Sequence, residues 1–350
     1  MSDTPFREAR PGHARAHKQV RPAGVIARAA IAVVTGVAVS AAAFIGPAAA
    51  QSYPTRPVTI VVPYAAGGAT DILGRLIAKR LQEKLGQPFV VENRPGAGTV
   101  VGADHVARST PDGYTLLLAT STTLAINATL FKKLPYNPAK DFTAVGLVAN
   151  VPFVLVANPQ LGVKSLKDLI ALAKSKPGAL TYGSAGNGSP HHLFMELLKS
   201  MSGINMVHVP YKGSAPAMMD VVSSHVSAMI SDLTPALAQI RGGKVVPLAV
   251  TTAHRLDALP DVPTVAEAGV PGYEATAWQG IVGPAGMPDD VVKKLNDELR
   301  AFTADPAAKE AFAKVGLQTA SDTPAEFDAY IHSEIKRWAD VVRSSGATVN

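Results

Sequence analysis

Short β-branched runs alternate with stretches of helical apolar spacing along most of this chain, and that alternation restricts the fold more than any other feature. It is the pattern of α/β lobes whose strands form mainly parallel sheets flanked by helices. Val58–Val62 reads as a buried strand, residues 63–70 as a glycine-containing loop. From Asp71 the apolar positions Ile72, Leu73, Leu76, Ile77, Leu81 and Leu85 keep helical spacing until Gly86. Segments 89–92 and 114–119 read as further strands. A second lobe is expected to open with a strand at 153–157 and a helix at 166–174 that Ser165 starts. Strands at 180–183, 205–209, 226–230 and 245–251 follow, with helices at 191–201 and 215–222 between them. A strand at 278–282 returns the chain to the first lobe, which helices at 288–304, 307–315 and 324–345 complete. The expected division is 51–151 with 276–350 for one lobe and 152–275 for the other, with two crossings that make a hinge.

The first fifty residues fall outside this pattern. Basic residues Arg7, Arg10, Arg15, Lys18, Arg21 and Arg28 precede an uncharged Ala/Val-rich run at 29–45, and Ala48, Ala49 and Ala50 stand before Gln51. That order is the layout of a secretory signal peptide, with cleavage expected after Ala50 and a periplasmic destination. The apolar run is short of the roughly 20 residues a membrane span needs. The leader holds six of the 33 basic and two of the 27 acidic residues, so the remainder stands near neutral at about +2 against +6 for the whole chain. The net positive charge is thus mostly the leader's, and no basic patch interleaved with aromatics remains to hold a nucleic acid. The chain has no cysteine. Disulfides and thiolate metal sites are therefore excluded, and stability rests on apolar cores.

In open α/β sheets, ligands bind beyond the carboxyl ends of strands, where helix N-termini offer free N–H groups and partial positive charge. Four loops meet that description: 63–71, 120–123, 184–192 and 211–215. Each is rich in Gly, Ala, Ser and Thr, so backbone and hydroxyl donors can come close to an anion. Asp71, at a helix start, is expected to accept backbone N–H groups as a cap and to order its loop. Asp232 lies just past a strand end and suits an amine or hydroxyl on the ligand. Lys212 can pair with a carboxylate or stand solvated. Trp278 and Trp338 read as core or hinge packing. A short echo links Val62-Pro63-Tyr64 to Val209-Pro210-Tyr211, each following an apolar strand.

Catalytic readings are weaker. Ser189, His192 and Asp232 supply the residue types of a hydrolase or lyase, yet Gly183-Ser184-Ala185-Gly186 sets its serine one position early for a nucleophile elbow. His192 and Glu196 lie four apart, but the second histidine of a zinc-helix motif is missing. Phosphate-loop and dinucleotide glycine patterns are absent too, so neither cofactor nor metal is expected.

Tyr53-Pro54-Thr55-Arg56-Pro57, leading into Val61-Val62-Pro63-Tyr64-Ala65-Ala66-Gly67-Gly68-Ala69-Thr70-Asp71, resembles the start of the mature receptors of tripartite tricarboxylate transporters, the Bug proteins. The resemblance continues through Glu92-Asn93-Arg94-Pro95-Gly96, Leu134-Pro135-Tyr136-Asn137-Pro138 and Tyr182-Gly183-Ser184-Ala185-Gly186-Asn187-Gly188-Ser189. It ends in Val209-Pro210-Tyr211-Lys212-Gly213 and Leu259-Pro260-Asp261-Val262-Pro263-Thr264-Val265. It implies a two-lobed type II periplasmic-binding-protein clamshell that grips a small carboxylate and passes it, as a monomer, to a membrane permease. On the matching positions the grip falls to Tyr64, Ala66, Gly67, Thr70 and Asp71, with Ser121 and Thr122, from the first lobe. Ala185, Gly186, Ser189, His192 and Tyr211 supply it from the second. Ala66-Gly67-Gly68 stands where many relatives have Pro-Gly-Gly, which leaves this loop less rigid.

Overall fold

The computed structural model describes residues 53–349; the expected leader and its cleavage point lie outside them. The chain first lays down β1 (Val58–Val62), α1 (Ala69–Leu85), β2 (Phe89–Asn93), α2 (Val100–Ala107) and β3 (Thr115–Thr120). β1 pairs in parallel with both β2 and β3, as β-branched runs joined by helices dictate. α1 buries Leu73, Ile77 and Leu81, spaced four apart on one stripe, and stops at Gly86, whose φ is 75°. A π-turn at Thr122–Ile126 and the short α3 (Asn127–Leu130) follow.

β4 (Phe142–Val151) is a strand the periodicity does not announce, because Thr143, Ala144, Gly146 and Ala149 dilute its apolar signal. One residue later, after the buried Pro152, β5 (Phe153–Ala157) begins in a different sheet. The second sheet then forms from β6 (Thr181–Ser184), β7 (Val207–Pro210), β8 (Ala228–Asp232) and β9 (Val246–Val250). Helices α4 (Leu166–Ser175), α5 (Pro190–Ser202), α6 (Ser214–Val222) and α7 (Leu233–Arg241) connect them. The helices at 100–107 and 233–241 are also additions to the sequence-based layout. β10 (Ala277–Pro284) returns to the first sheet, and α8 (Asp289–Ala304), α9 (Pro306–Lys314), β11 (Gln318–Thr319) and α10 (Pro324–Ser345) close the chain.

Strand order is β11-β4-β10-β3-β1-β2 in the first sheet and β7-β6-β8-β5-β9 in the second. The two-lobed α/β fold is as expected, but the sheets are mixed rather than mainly parallel. β10 runs antiparallel to β3 and β4, and β5 antiparallel to β8 and β9. The strands on either side of the inter-sheet crossings cause this: a chain that leaves one sheet and directly enters another does so without a crossover helix, so parallel pairing is not imposed. The register brings Thr120 opposite Gln279 and Val151 opposite Ala277 in the first sheet, and Asp232 opposite Phe153 in the second. The carboxyl ends of β3 and β8 therefore both lie beside the crossings. No helix among the described residues is long and apolar enough to cross a membrane.

α10 ties the lobes together. Its Trp338 ring stacks on Phe194 of α5 with centroids 5.1 Å apart, and both rings are buried. Burying side chains of this size contributes about 1.5–3 kcal/mol each. Trp278 and Trp338 are core residues, and both donate their indole N–H to the Oε2 of Glu334, at 3.1 and 2.8 Å.

Candidate functional site

The 63–71 loop leaves β1 and enters α1, and Asp71 organises it, though not as a cap. Gly68 holds the N-cap position, and Asp71 stands inside the first turn. Its Oδ2 accepts the Gly67 N–H at 2.9 Å and the Arg75 Nε–H at 3.0 Å. Its Oδ1 accepts from Asn93 Nδ2 at 2.9 Å and lies 3.0 Å from Arg75 Nη2. Burial alone would raise the carboxyl pKa, but the bonds from Arg75, Gly67 and Asn93 outweigh it and hold Asp71 below the usual carboxylate range. The negative charge of Asp71 is thus answered from within the loop, its helix and the neighbouring strand. Gly67, exposed and at φ 90°, carries the turn, and a Cβ placed there would meet no other atom. Ala66 is also exposed, and Thr70 is half-buried.

Asn93 fixes the loop from the neighbouring strand, since the register aligns it with Val62 and its Nδ2 also donates to the Tyr64 carbonyl at 3.0 Å. Tyr64 Oη lies 3.4 Å from Thr120 Oγ1, which brings the first loop to the end of β3. There Thr120, Thr123 and Thr99 form a buried hydroxyl chain at 3.0 Å per step. Ser121 is buried and Thr122 half-buried beside it. Arg75 and Asn93 were not among the expected site residues. The Asp71/Arg75 spacing of four was a visible signal; the partnership with Asn93 depends on strand register.

In the second lobe, Ser184 Oγ receives the Gly186 N–H at 3.0 Å and lies 2.6 Å from His208 Nε2. Ser189 caps α5: its Oγ accepts the His192 N–H at 3.4 Å and donates to the Gly186 carbonyl at 2.7 Å. His192 is buried beneath this loop, where its Nδ1 accepts the Gly188 N–H at 3.1 Å. Its ring stacks on His208 with centroids 3.9 Å apart. Desolvation lowers the pKa of both imidazoles, and the neighbouring ring adds to the drop at His208, which falls to about 4. Ala185 and Gly186 are half-buried at the turn itself. Tyr211 joins this loop through its backbone, donating N–H to the Ser184 carbonyl at 3.1 Å. Its hydroxyl is turned away to Asp220 Oδ2 at 2.5 Å. Lys212 is exposed.

The arrangement overturns the hydrolase or lyase constellation. Asp232 lies 2.8 Å from Nε2 of His191, not His192, while Ser189 and His192 are both spent on the loop's own backbone. Neither His191 nor His192 is left as a base on Ser189, as that constellation requires. His192 Nε2 stands 4.0 Å from Glu196, which already holds Lys199 and Tyr182, and no group of three metal-ligating side chains occurs among the described residues. What the structure brings together is two sets of small-residue loops, 63–71 with 120–123 and 184–192 with 211–214. No hydrogen bond among the described residues joins one set to the other. The lobes do touch nearby, where Leu130 lies against Gly188 and Thr234 Oγ1 donates to the Val315 carbonyl at 2.9 Å.

Known proteins share this construction. The family model described as tripartite tricarboxylate transporter family receptor matches residues 73–347. Protein BugT of Bordetella pertussis is 40% identical over 315 residues, 90% of this chain and 97% of that protein. Among solved structures, R. palustris Rpa4515 with adipate has 40% identity and a TM-score of 0.76, covering 85% of this chain and all (100%) of that one. MatC (Rpa3494) from Rhodopseudomonas palustris with bound malate has 35% identity and a TM-score of 0.71, covering 83% of this chain and 100% of that one. The periplasmic binding protein BugD has 36% identity and a TM-score of 0.72, covering 85% of this chain and 99% of its own. The chain belongs to the tripartite tricarboxylate transporter receptor family, and it is a binding receptor, not an enzyme.

Proposed function

We propose that this chain is a periplasmic receptor that captures a small carboxylate in the cleft between its two lobes and delivers it to a tripartite-type membrane permease. The lobes are taken as 51–151 with 276–350 and 152–275, hinged at the two crossings, and the receptor works as a monomer after removal of residues 1–50. The observation that carries the reading is the Asp71-ordered loop. A carboxylate buried by Arg75 and Asn93 holds exposed Gly67 in a conformation that leaves open space over the backbone. Relatives of like fold with adipate and malate support an anion as the occupant. Tyr64, Ala66, Gly67, Thr70, Ser121 and Thr122 grip the carboxylate from one side. Ala185, Gly186, Ser189 and the backbone of Tyr211 close on it from the other, with His192 setting their loop. Asp71 acts from behind, and Asp232 faces the ligand's far end. Closure buries the anion between two sets of amides, and its free energy of binding favours the closed form.

A thermal-shift screen of small carboxylates on residues 51–350 tests this, since a ligand at about 100 times its Kd stabilises by about 2.7 kcal/mol. A Gly67→Val variant is expected to fold, at a strain cost of about 1–2 kcal/mol. It should bind the acid that shifts the wild type at least about tenfold more weakly. Equal affinity in that variant would remove Gly67 from the site.

A further inference from the structure

Asp232 is placed and held in a way that the carboxylate grip does not use. It occupies the N-cap position of α7, where an aspartate ordinarily turns its carboxylate onto the helix's own amides, yet it makes no such bond. It lies instead 2.8 Å from His191 Nε2, on the second residue of α5. The other ring nitrogen, His191 Nδ1, is buried without a hydrogen-bond partner among the described residues. A proton on that atom would be a buried N–H with no acceptor, which costs more than leaving the nitrogen bare. The geometry therefore assigns His191 the Nε2–H tautomer, donating to Asp232, and the pair keeps one negative charge. Phe153 packs edge-on against the His191 ring, with centroids 5.2 Å apart, and holds it in this orientation.

The Asp232 side chain is 31% exposed, with His191 on its Oδ1 and the Ser214 hydroxyl beside the carboxylate. Register puts it opposite Phe153, beside the first crossing between the sheets, at the carboxyl edge of the second. Because β6 runs parallel beside β8, Asp232 ends its strand at the same edge of the sheet as the 184–192 loop. Asp71 cannot substitute for it, because Arg75 and Asn93 already engage both its oxygens.

Resting on the carboxylate-receptor reading above, we propose that Asp232, positioned by His191, sets the substrate class. The ligand is a carboxylic acid bearing a hydrogen-bond donor, an ammonium or hydroxyl group, at its far end, and a second carboxylate there is selected against. A fixed negative charge with acceptor lone pairs rewards a donor and repels an anion. His191 is the positioning residue, and its role is to hold the carboxylate in place without cancelling its charge.

The test is calorimetric titration with two matched series, each differing only in the far group. One is butyrate, 4-hydroxybutyrate, 4-aminobutyrate and succinate; the other is hexanoate, 6-hydroxyhexanoate, 6-aminohexanoate and adipate. The wild type should bind the amino or hydroxy member at least about tenfold more tightly than the diacid of equal length, since like-charge juxtaposition costs several kcal/mol. Asp232→Asn, nearly isosteric, should shrink or invert that preference. His191→Gln, which keeps Asp232 but loosens it, should weaken the donor-bearing ligand and leave the diacid disfavoured. A wild type that prefers the diacid, or an unchanged ranking in Asp232→Asn, overturns the assignment while the receptor reading stands. If no member of either series binds any of the proteins, the carboxylate reading fails and this one falls with it.

Discussion

Histidine chemistry in this receptor is structural before it is functional. His192 Nδ1 must be unprotonated to accept the Gly188 N–H, and its ring lies face to face with His208 at 3.9 Å, where two charged rings would repel. In the unfolded chain an imidazole takes its proton near pH 6.5, whereas desolvation and the His192 ring hold His208 neutral down to about 4. Between those values the unfolded state binds more protons, so stability falls as the pH drops from about 6.5 to about 4 and levels off below. Thermal melts across that range are expected to show the fall, and a His208→Gln variant should flatten it; a wild-type melting temperature indifferent to pH there would refute the account. The same residues show how far reading by residue type goes. The resemblance names His192 for the grip, and what the structure shows is its support of the 184–192 loop through Gly188. The aspartate that seemed its partner belongs to His191, because adjacent helix positions point about 100° apart and only one of the two rings can face β8.

At the scale of elements, the local signals are sound where capping and periodicity act alone. α10 begins at Pro324 behind Thr323, whose Oγ1 accepts the Glu326 N–H at 3.2 Å while Glu326 Oε2 accepts the Thr323 N–H at 2.9 Å. This reciprocal pair is written in the sequence as Thr-Pro-Ala-Glu. What α10 does once formed is not. Its Glu334, 2% exposed, gathers the indole N–H groups of Trp278 and Trp338 and pairs with Arg337 at 3.2 Å. Trp278 sits on β10 next to the second crossing, so this carboxylate pins that strand to a helix whose Trp338 also stacks on Phe194 of the second sheet's α5. Glu334→Ala leaves two buried indole donors unanswered and should cost about 2–4 kcal/mol in denaturant unfolding. Glu334→Gln, which keeps an acceptor, should recover part of that. A cost under about 0.5 kcal/mol for the alanine variant would mean the cluster does not hold β10 to α10. The echo between Tyr64 and Tyr211 divides at this level too. Both follow a strand end, but β1 is flanked by two strands and offers Tyr64 a threonine on β3, while β7 is an edge strand and Tyr211 turns to its own α6.

For the whole molecule, the described state is one in which the lobes already meet, with Leu130 against Gly188 and Thr234 bonded to Val315. A receptor that opens to admit its ligand must break both contacts, so small-angle scattering should give a smaller radius of gyration with saturating ligand than without. An unchanged radius would argue against a hinge at Pro152 and at the approach to Ala277. Apolar surface runs without interruption from the first sheet through Trp338 and Phe194 into the second. An opening of the proposed hinge would have to rotate about that packed region, since pulling it apart would expose buried aromatic rings at about 25 cal/mol per Å².

The receptor was legible only through the resemblance of the chain's motifs to the tricarboxylate receptors, whereas strand and helix alternation and the absence of cysteine were enough to read two α/β lobes resting on apolar cores. Those properties are local, and neighbours in sequence enforce them. Strand direction, by contrast, turned out mixed, because antiparallel pairing of β10 and β5 depends on where the chain changes sheets and not on any residue in those strands. The support of Asp71 by Asn93, the pairing of Asp232 with His191, and the convergence of two tryptophans on Glu334 are likewise set by register and packing between segments far apart in the chain. Each of these side chains would be unremarkable in isolation; its partner, and hence its charge state and its use, exists only once the sheets have aligned.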